Sequence, residues 1–535
     1  MTIAEERKIT ENDKLDTVFD QYDPIRQAVH LRPKNKEHIV ERFSDTDLPK
    51  KWEVSKNKHV AALLKDRRLQ FMLILPNQII FWMVIVLGLA GTVIPGLNFG
   101  TAITWYLWFC LVFVMMVVVG RAWCSMCPFG GFAEWLQRKT FWQRTQKTLG
   151  LGRKFPESLA RWGFLLSVVS FLILTWIEEF FNIAGPGVPS ATSWMVVGIV
   201  VTAVAFFLVF ERRTFCRYVC PLSALIGSVG AMGSVAGFRT KDRDVCIECK
   251  TKDCMRGSEE GFGCPWYTWP GSADSNLSCG LCTECYKACP SDNVGLFLQP
   301  PLTSVVAPKR RRVDIALSVL LLWGLVLFQQ FNATNVYASI DNWLNTKMHF
   351  PQYPNPVDYI GLIALFAAVT GAVILAAGFL FGKKELEDYK VSEPVLATPK
   401  KSLLSNHPKA LAFLLPMAYG LIPVVGSDYF ARQLPKFFKH VSRLVPSIGA
   451  WFNSGSTKSS LYNTRLLSDP SIVIVQIIVI GLGTLASLWA MNRIFKRDLK
   501  PISKNKAAMK LASLGIVLAC GIASGVLYYL MHAAS

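Results

Sequence analysis

The chain has 535 residues, 52% hydrophobic and only 18% charged, with a mean hydropathy of +0.33, too apolar for an ordinary water-soluble globular protein. Its 57 Lys and Arg against 37 Asp and Glu leave a net charge of +20; basic loops facing an anionic membrane surface account for that balance, and no nucleic-acid partner is needed. Fourteen cysteines are few for a disulfide scaffold of this length, yet thirteen precede residue 290 and eight lie between Cys246 and Cys289, a clustering that points to metal.

Residues 1–73 form a polar segment that opens on MTIAEERKITENDK. It is charged from the start and lacks the apolar centre of a secretory signal, so the N-terminus is expected in the cytoplasm. Residues 56–68 are amphipathic and basic, as a juxtamembrane surface segment would be. Nine apolar runs follow, near 74–95, 101–120, 161–179, 193–210, 313–331, 359–382, 410–427, 471–490 and 511–531. Each approaches the roughly 20 residues that cross a bilayer as a helix, and lipid tolerates only segments that close their own hydrogen bonds. The expected fold is an all-α polytopic membrane protein of about nine transmembrane helices. A four-helix unit covers 74–240, a cytoplasmic cysteine-rich insertion covers 241–312, and a C-terminal membrane region of about five helices covers 313–535.

Orientation follows from the basic residues. Arg138, Lys139, Arg144, Lys147, Arg153 and Lys154 lie between runs two and three, Lys309 to Arg312 precede run five, and Lys383 and Lys384 follow run six. Arg493, Lys496, Arg497 and Lys500 follow run eight. With nine crossings all share one side with the N-terminus, and the positive-inside rule makes that side cytoplasmic, in a membrane of the bacterial inner type. Run seven is interrupted by Pro416 and Pro423, and the loop after it, 428–469, is expected outside. There Arg432, Lys436, Lys439 and Arg443 alternate with Phe437, Phe438, Val441 and Leu444, the pattern of a basic interfacial helix. Glu178 and Glu179, at the outer end of run three, fit acceptors of quinol protons or, more plainly, solvated interface groups. Gln329 and Gln330 fit packing or ligand contact equally.

Run two ends in GRAWCSMCPFGGFAEW and run four in ERRTFCRYVCPLSALIG. Each is a helix end followed by a basic residue, a cysteine pair, a proline and an apolar stretch, the mark of a duplicated two-helix unit. If the ends lie side by side, Cys124, Cys127, Cys216 and Cys220 converge as four soft ligands, suited to a further iron–sulfur cluster, Cu(I) or a dithiol pair. Inert packing is the plainer alternative, as it is for the isolated Cys110 and Cys520.

The densest signal is Cys279-x2-Cys282-x2-Cys285-x3-Cys289-Pro290, the bacterial ferredoxin spacing. Upstream stand Cys246-x2-Cys249-x4-Cys254 and, nine residues on, Cys264-Pro265. Eight thiolates suffice for two [4Fe-4S] clusters, so residues 241–312 are expected to form a cytoplasmic ferredoxin-like double [4Fe-4S] insertion. Because the fourth cysteine of such a run serves the other cluster, Cys246, Cys249, Cys254 and Cys289 are expected on one, and Cys279, Cys282, Cys285 and Cys264 on the other. Structural zinc is the competing reading. Aromatics in residues 266–270 (WYTWP) fit shielding or simple packing.

On these residues the chain resembles the NapH/NosR/CcoG group of membrane polyferredoxins, over roughly residues 74–312. The first membrane pair has two residues between its cysteines where that group has three, and residues 313–535 have no counterpart in it. The resemblance implies electron transfer between a cytoplasmic donor or the quinone pool and a redox partner. Metal reduction or maturation of a metalloenzyme is the alternative, and a redox-sensing transporter built on the later helices is a second. Membrane lipid and a redox partner protein or quinone are the expected partners.

Overall fold

The computed structural model describes residues 52–143, 149–160, 162–184, 190–271, 273–308, 311–350, 354–383, 408–452 and 459–533. Residues 1–51 and the basic residues Arg144, Lys147, Lys309, Arg310 and Lys384 lie outside the described residues.

The segment ahead of the first apolar run folds onto the cysteine-rich segment. A short strand, β1 (Trp52–Glu53), is followed by helix α1 (Lys58–Lys65), which begins where the Asn57 side chain accepts from the His59 N–H at 2.9 Å. β1 pairs antiparallel with β3 (Val294–Leu298), which pairs on its other edge with β2 (Val235–Thr240). Lys65 and Arg67 reach Asp292 (2.8 Å) and Glu260 (3.4 Å) across the same contact. The sheet therefore takes in residues 235–240, which the sequence pattern assigns to the membrane unit.

Among the described residues, nine helical stretches are long and apolar enough to cross a membrane. They include α2 (Leu69–Ala90) and a stretch that begins with a wide-turned segment, Ala102–Trp108, and continues as α3 (Phe109–Val119). After a break at Gly120–Ala122 this stretch ends in α4 (Pro128–Arg138). Then come α5 (Gly163–Phe180), α6 (Ala191–Val209) and, after a second wide turn at Phe215–Val219, the short α7 (Pro221–Gly230). The C-terminal half holds α8 (Val313–Phe331), α9 (Pro356–Phe381), α10 (Pro408–Gly420), α11 (Ile422–His440), α12 (Asp469–Ile494) and α13 (Lys506–Ala533).

α8 and the α10–α11 stretch form the middle of the bundle: 89% of each apolar window is buried, against 28% in α6, α9 and α12. The ringing helices can be apolar on every side because lipid is their solvent, while the central ones bury the polar residues, Gln329 and Gln330 in α8 and Asp428 and Gln433 in α11. Small residues let backbones meet, so a Cβ on Gly324 would stand 2.4 Å from the Ile363 carbonyl oxygen.

Run seven does not end near residue 427. α10 passes Pro416, and Pro423 falls in the first turn of α11, where its missing N–H costs nothing. The helix continues to His440, with Asp428, Ala431 and Leu434 buried. Arg432 and Lys436 are therefore not part of an interfacial helix, and Glu178 and Glu179 are not solvated. Arg432 lies 3.4 Å from Glu179 and Lys436 lies 3.8 Å from Glu178. Each charge is tolerated away from water because packing supplies its opposite.

Candidate metal centres

Cys246, Cys249, Cys254 and Cys289 line one small cavity of about 20 Å³, closed by Trp269. Cys246 and Cys289 are far apart in sequence, and Asn293 ties them together. Its side-chain amide donates to Cys246 Sγ at 3.3 Å and its backbone N–H to Cys289 Sγ at 3.3 Å. The Lys252 backbone N–H donates to Cys249 Sγ at 3.4 Å, and Thr240 Oγ1 lies 3.1 Å from Cys246 Sγ. N–H groups aimed at sulfur are the local device that stabilises thiolate ligands and tunes a cluster's potential.

Cys264, Cys279, Cys282 and Cys285 form a second set. The Cys285 thiol lies within electrostatic reach of the other three and of Cys254 in the first set. Cys264 Sγ accepts the Thr268 N–H at 3.4 Å. Burial pushes the Cys264 thiol up to about 11, and it likewise raises Cys246, Cys254, Cys282 and Cys285. Such sulfurs carry charge only when a metal holds it. Among the described residues, no three Cys, His, Asp or Glu close around a point as one metal ion would need.

The bulge between Val235 and Gly237 shapes this second set. Gly237 has φ +89°, and a Cβ there would lie 2.9 Å from Cys279 Sγ. Gly237→Ala is expected to add roughly 1–3 kcal/mol of backbone strain and push Cys279 aside. Iron content should fall by about four per chain, as a colorimetric iron assay would show.

Cys124, Cys127, Cys216 and Cys220 make a third set. All four line an apolar cavity of about 400 Å³ among α2, α3, α5, α6, α7 and α11. Cys127 (φ −66°, ψ 124°) and Cys220 (φ −54°, ψ 119°) take nearly the same backbone shape, each capping a helix that begins with proline. The two N-terminal ends favour negative charge between them. The first pair is not at the end of the bundle. Phe129 packs edge-on against Phe81 at 4.9 Å, and Trp135 packs against Phe71 at 5.3 Å. α4 therefore runs back along α2, starting beside a residue about 18 Å along that helix from Leu69.

Buried cations occupy the space between the second and third sets. Glu134 is ion-paired with Arg138, with Arg212 at 3.2 Å and with Arg213 at 2.6 Å. Arg213, 1% exposed, donates to the Cys124 carbonyl at 3.2 Å and lies within electrostatic reach of both Cys216 and Cys282. Arg121 is also buried, held by the Leu277 carbonyl (2.7 Å), Ser223 Oγ (2.6 Å) and the face of Trp266 (4.5 Å). Arg213 and Arg121 place guanidinium charge beside the sulfur ligands, which suits an anionic iron–sulfur cluster. The sequence singled out Trp266 and Trp269 but not Glu134 or Arg213. The RR pair at 212–213 precedes a cysteine pair, yet nothing in the text joins it to Glu134.

Two stretches, residues 101–149 and 192–234, match the family description "4Fe-4S binding domain". They contain the third set and the duplicated helix ends, and none of the eight cysteines from Cys246 to Cys289. No curated protein and no solved structure matches the chain. The chain thus carries a match to a 4Fe-4S binding domain, and among the described residues nine helices long and apolar enough to cross a membrane, as a multi-pass membrane protein has.

Proposed function

We propose that the chain is a membrane-anchored electron carrier of the polyferredoxin kind that it resembles, passing electrons between a cytoplasmic donor and a lipophilic carrier or partner at the large cavity. The observation that carries this reading is the adjacency of the three thiol sets: the Cys264 backbone N–H donates to the Cys254 carbonyl at 2.9 Å, and Trp266, two residues from Cys264, lines the cavity that holds Cys124, Cys127, Cys216 and Cys220. Two [4Fe-4S] clusters on the first two sets and a third on Cys124, Cys127, Cys216 and Cys220 would supply one-electron redox chemistry. The protein's own residues orient the sulfurs through Asn293, Thr268 and Lys252, offset cluster charge through Arg213 and Arg121, and exclude water with Trp266 and Trp269.

The cavity suits a hydroxyl-bearing lipophile such as a quinol. Its wall is mostly apolar, and Gln329 and Gln433, which also line it, each present a buried side-chain oxygen without a donor. The positive-inside pattern of the basic connections supports a cytoplasmic position for the sulfur-rich side. Anaerobic purification in detergent, with iron and acid-labile sulfide assays and EPR of the reduced protein, tests the proposal. About twelve irons per chain are expected. Zinc without sulfide would remove it.

A further inference from the structure

The helix Asn335–Met348, between α8 and α9, carries its apolar side outward and its polar side inward. Val336, Ile340 and Trp343 are 61%, 38% and 63% exposed, whereas Tyr337 and Asp341 are 0% and 4% exposed. Each stripe keeps helical spacing, and Asn345 extends the inner one by a further turn. The outward stripe suits a lipid interface, so the polar stripe must find its partners inside the protein. It meets the start of α9. Asp341 Oδ1 accepts the Asn355 backbone N–H at 3.2 Å and the Tyr337 hydroxyl at 3.5 Å, and its Oδ2 accepts from Asn345 Nδ2 at 2.6 Å. The Asn355 side chain caps α9 by accepting the Val357 N–H at 2.9 Å and donates to Asn345 Oδ1 at 2.8 Å. Asp358 follows in the first turn of α9, within hydrogen-bonding reach of the Asp341 carboxyl and the Tyr337 hydroxyl.

A second observation concerns Asp358 itself. It is 6% exposed, yet neither Oδ1 nor Oδ2 has a hydrogen-bond donor. The Tyr359 backbone N–H beside it is committed to the Asn355 carbonyl at 3.1 Å, and no Lys, Arg or His is among the groups acting on Asp358. Interiors supply buried carboxylates with partners. The N-terminal end of α9 offsets part of one negative charge, not two. A proton shared between the pair would serve one Asp358 oxygen and leave the other without a partner, whereas a cation seated between the carboxylates engages both.

We propose that Asp341 and Asp358 hold a calcium-class divalent cation that ties the start of α9 to the helix after α8. Two carboxylates match its charge, and carboxylate, amide and phenol oxygens suit a hard cation rather than one that prefers sulfur. A calcium ion takes about six to eight oxygens and completes its shell with neutral groups and water, so two acidic residues suffice. The pair lies at the end of α8 away from Arg312. On the positive-inside pattern that end is the outer one, and extracellular calcium sites bind in the range of about 0.1–1 mM.

Binding of radiolabelled calcium to the full chain in detergent, after treatment with a chelator, tests the site. The wild type should bind about one calcium per chain in the range of about 0.1–1 mM, and its thermal transition should rise as calcium is added. Asp358→Asn and Asp341→Asn should each lose that ion and that rise. Without calcium, Asp358→Asn should melt no lower than the chelated wild type, because the amide removes the like-charge pair; this separates lost binding from lost folding. Equal binding by the wild type and Asp358→Asn would overturn the proposal, as would a wild type that binds no calcium at about 10 mM, tenfold above that range. A protonated-carboxyl infrared band that is absent from Asp358→Asn and persists in the wild type at the same calcium concentration would also overturn it, since the pair would then share a proton.

Discussion

Glu134→Ala is expected to be the most damaging single substitution outside the cysteines, lowering stability by roughly 3–5 kcal/mol. The carboxylate is almost fully buried and pairs with Arg138, Arg212 and Arg213. Its removal strips Arg138, Arg212 and Arg213 of the carboxylate they share, in a site where Arg138 and Arg213 are buried. Domains are stable by only about 5–15 kcal/mol, so the loss should appear as poor accumulation in the membrane and an early thermal transition of the detergent-solubilised chain. Replacing Arg213 by Met in the same chain removes one stranded cation and should recover part of the deficit. A double variant worse than Glu134→Ala would show that the charge imbalance is not the cause.

The second large effect concerns the third thiol set. Cys216→Ser with Cys220→Ser should lower iron from about twelve to about eight per chain and leave the signals from the other two sets in place. The same pair of substitutions separates a cluster site from inert packing. Buried cysteines that only fill space lose little when replaced by a group of similar size, and iron would then stay constant. The hydroxyl of serine is a poor ligand for an iron that prefers soft sulfur, and in an apolar cavity it gains no compensating hydrogen bond.

The nine membrane-length stretches and the crowding of thiols are legible from the chain text, because run length and cysteine spacing are properties of neighbours. Cys279 to Cys289 announces its chemistry within eleven residues, and the paired Cys-Pro motifs announce a duplication. Other features left no local trace. Asp428 follows an apolar run directly and reads as the first residue of a loop, since nothing beside it reveals Gln330 or Ser524, its hydrogen-bond partners on two other helices. Arg432 and Lys436, interleaved with phenylalanines, carry the pattern of a surface helix; their carboxylate partners lie some 250 residues earlier.

Apolar composition and motif spacing were thus enough for a helical membrane protein with thiol clusters suited to iron and sulfide, since both depend on distances of a few residues. Packing alone decided that α4 turns back along α2, that Asn293 joins Cys246 to Cys289, and that Glu134 collects three arginines. It also set Glu178 and Glu179 against α11. A buried charge must find its partner in space, and in this fold that partner comes from another helix, 79 residues away for Arg213 and 253 for Arg432.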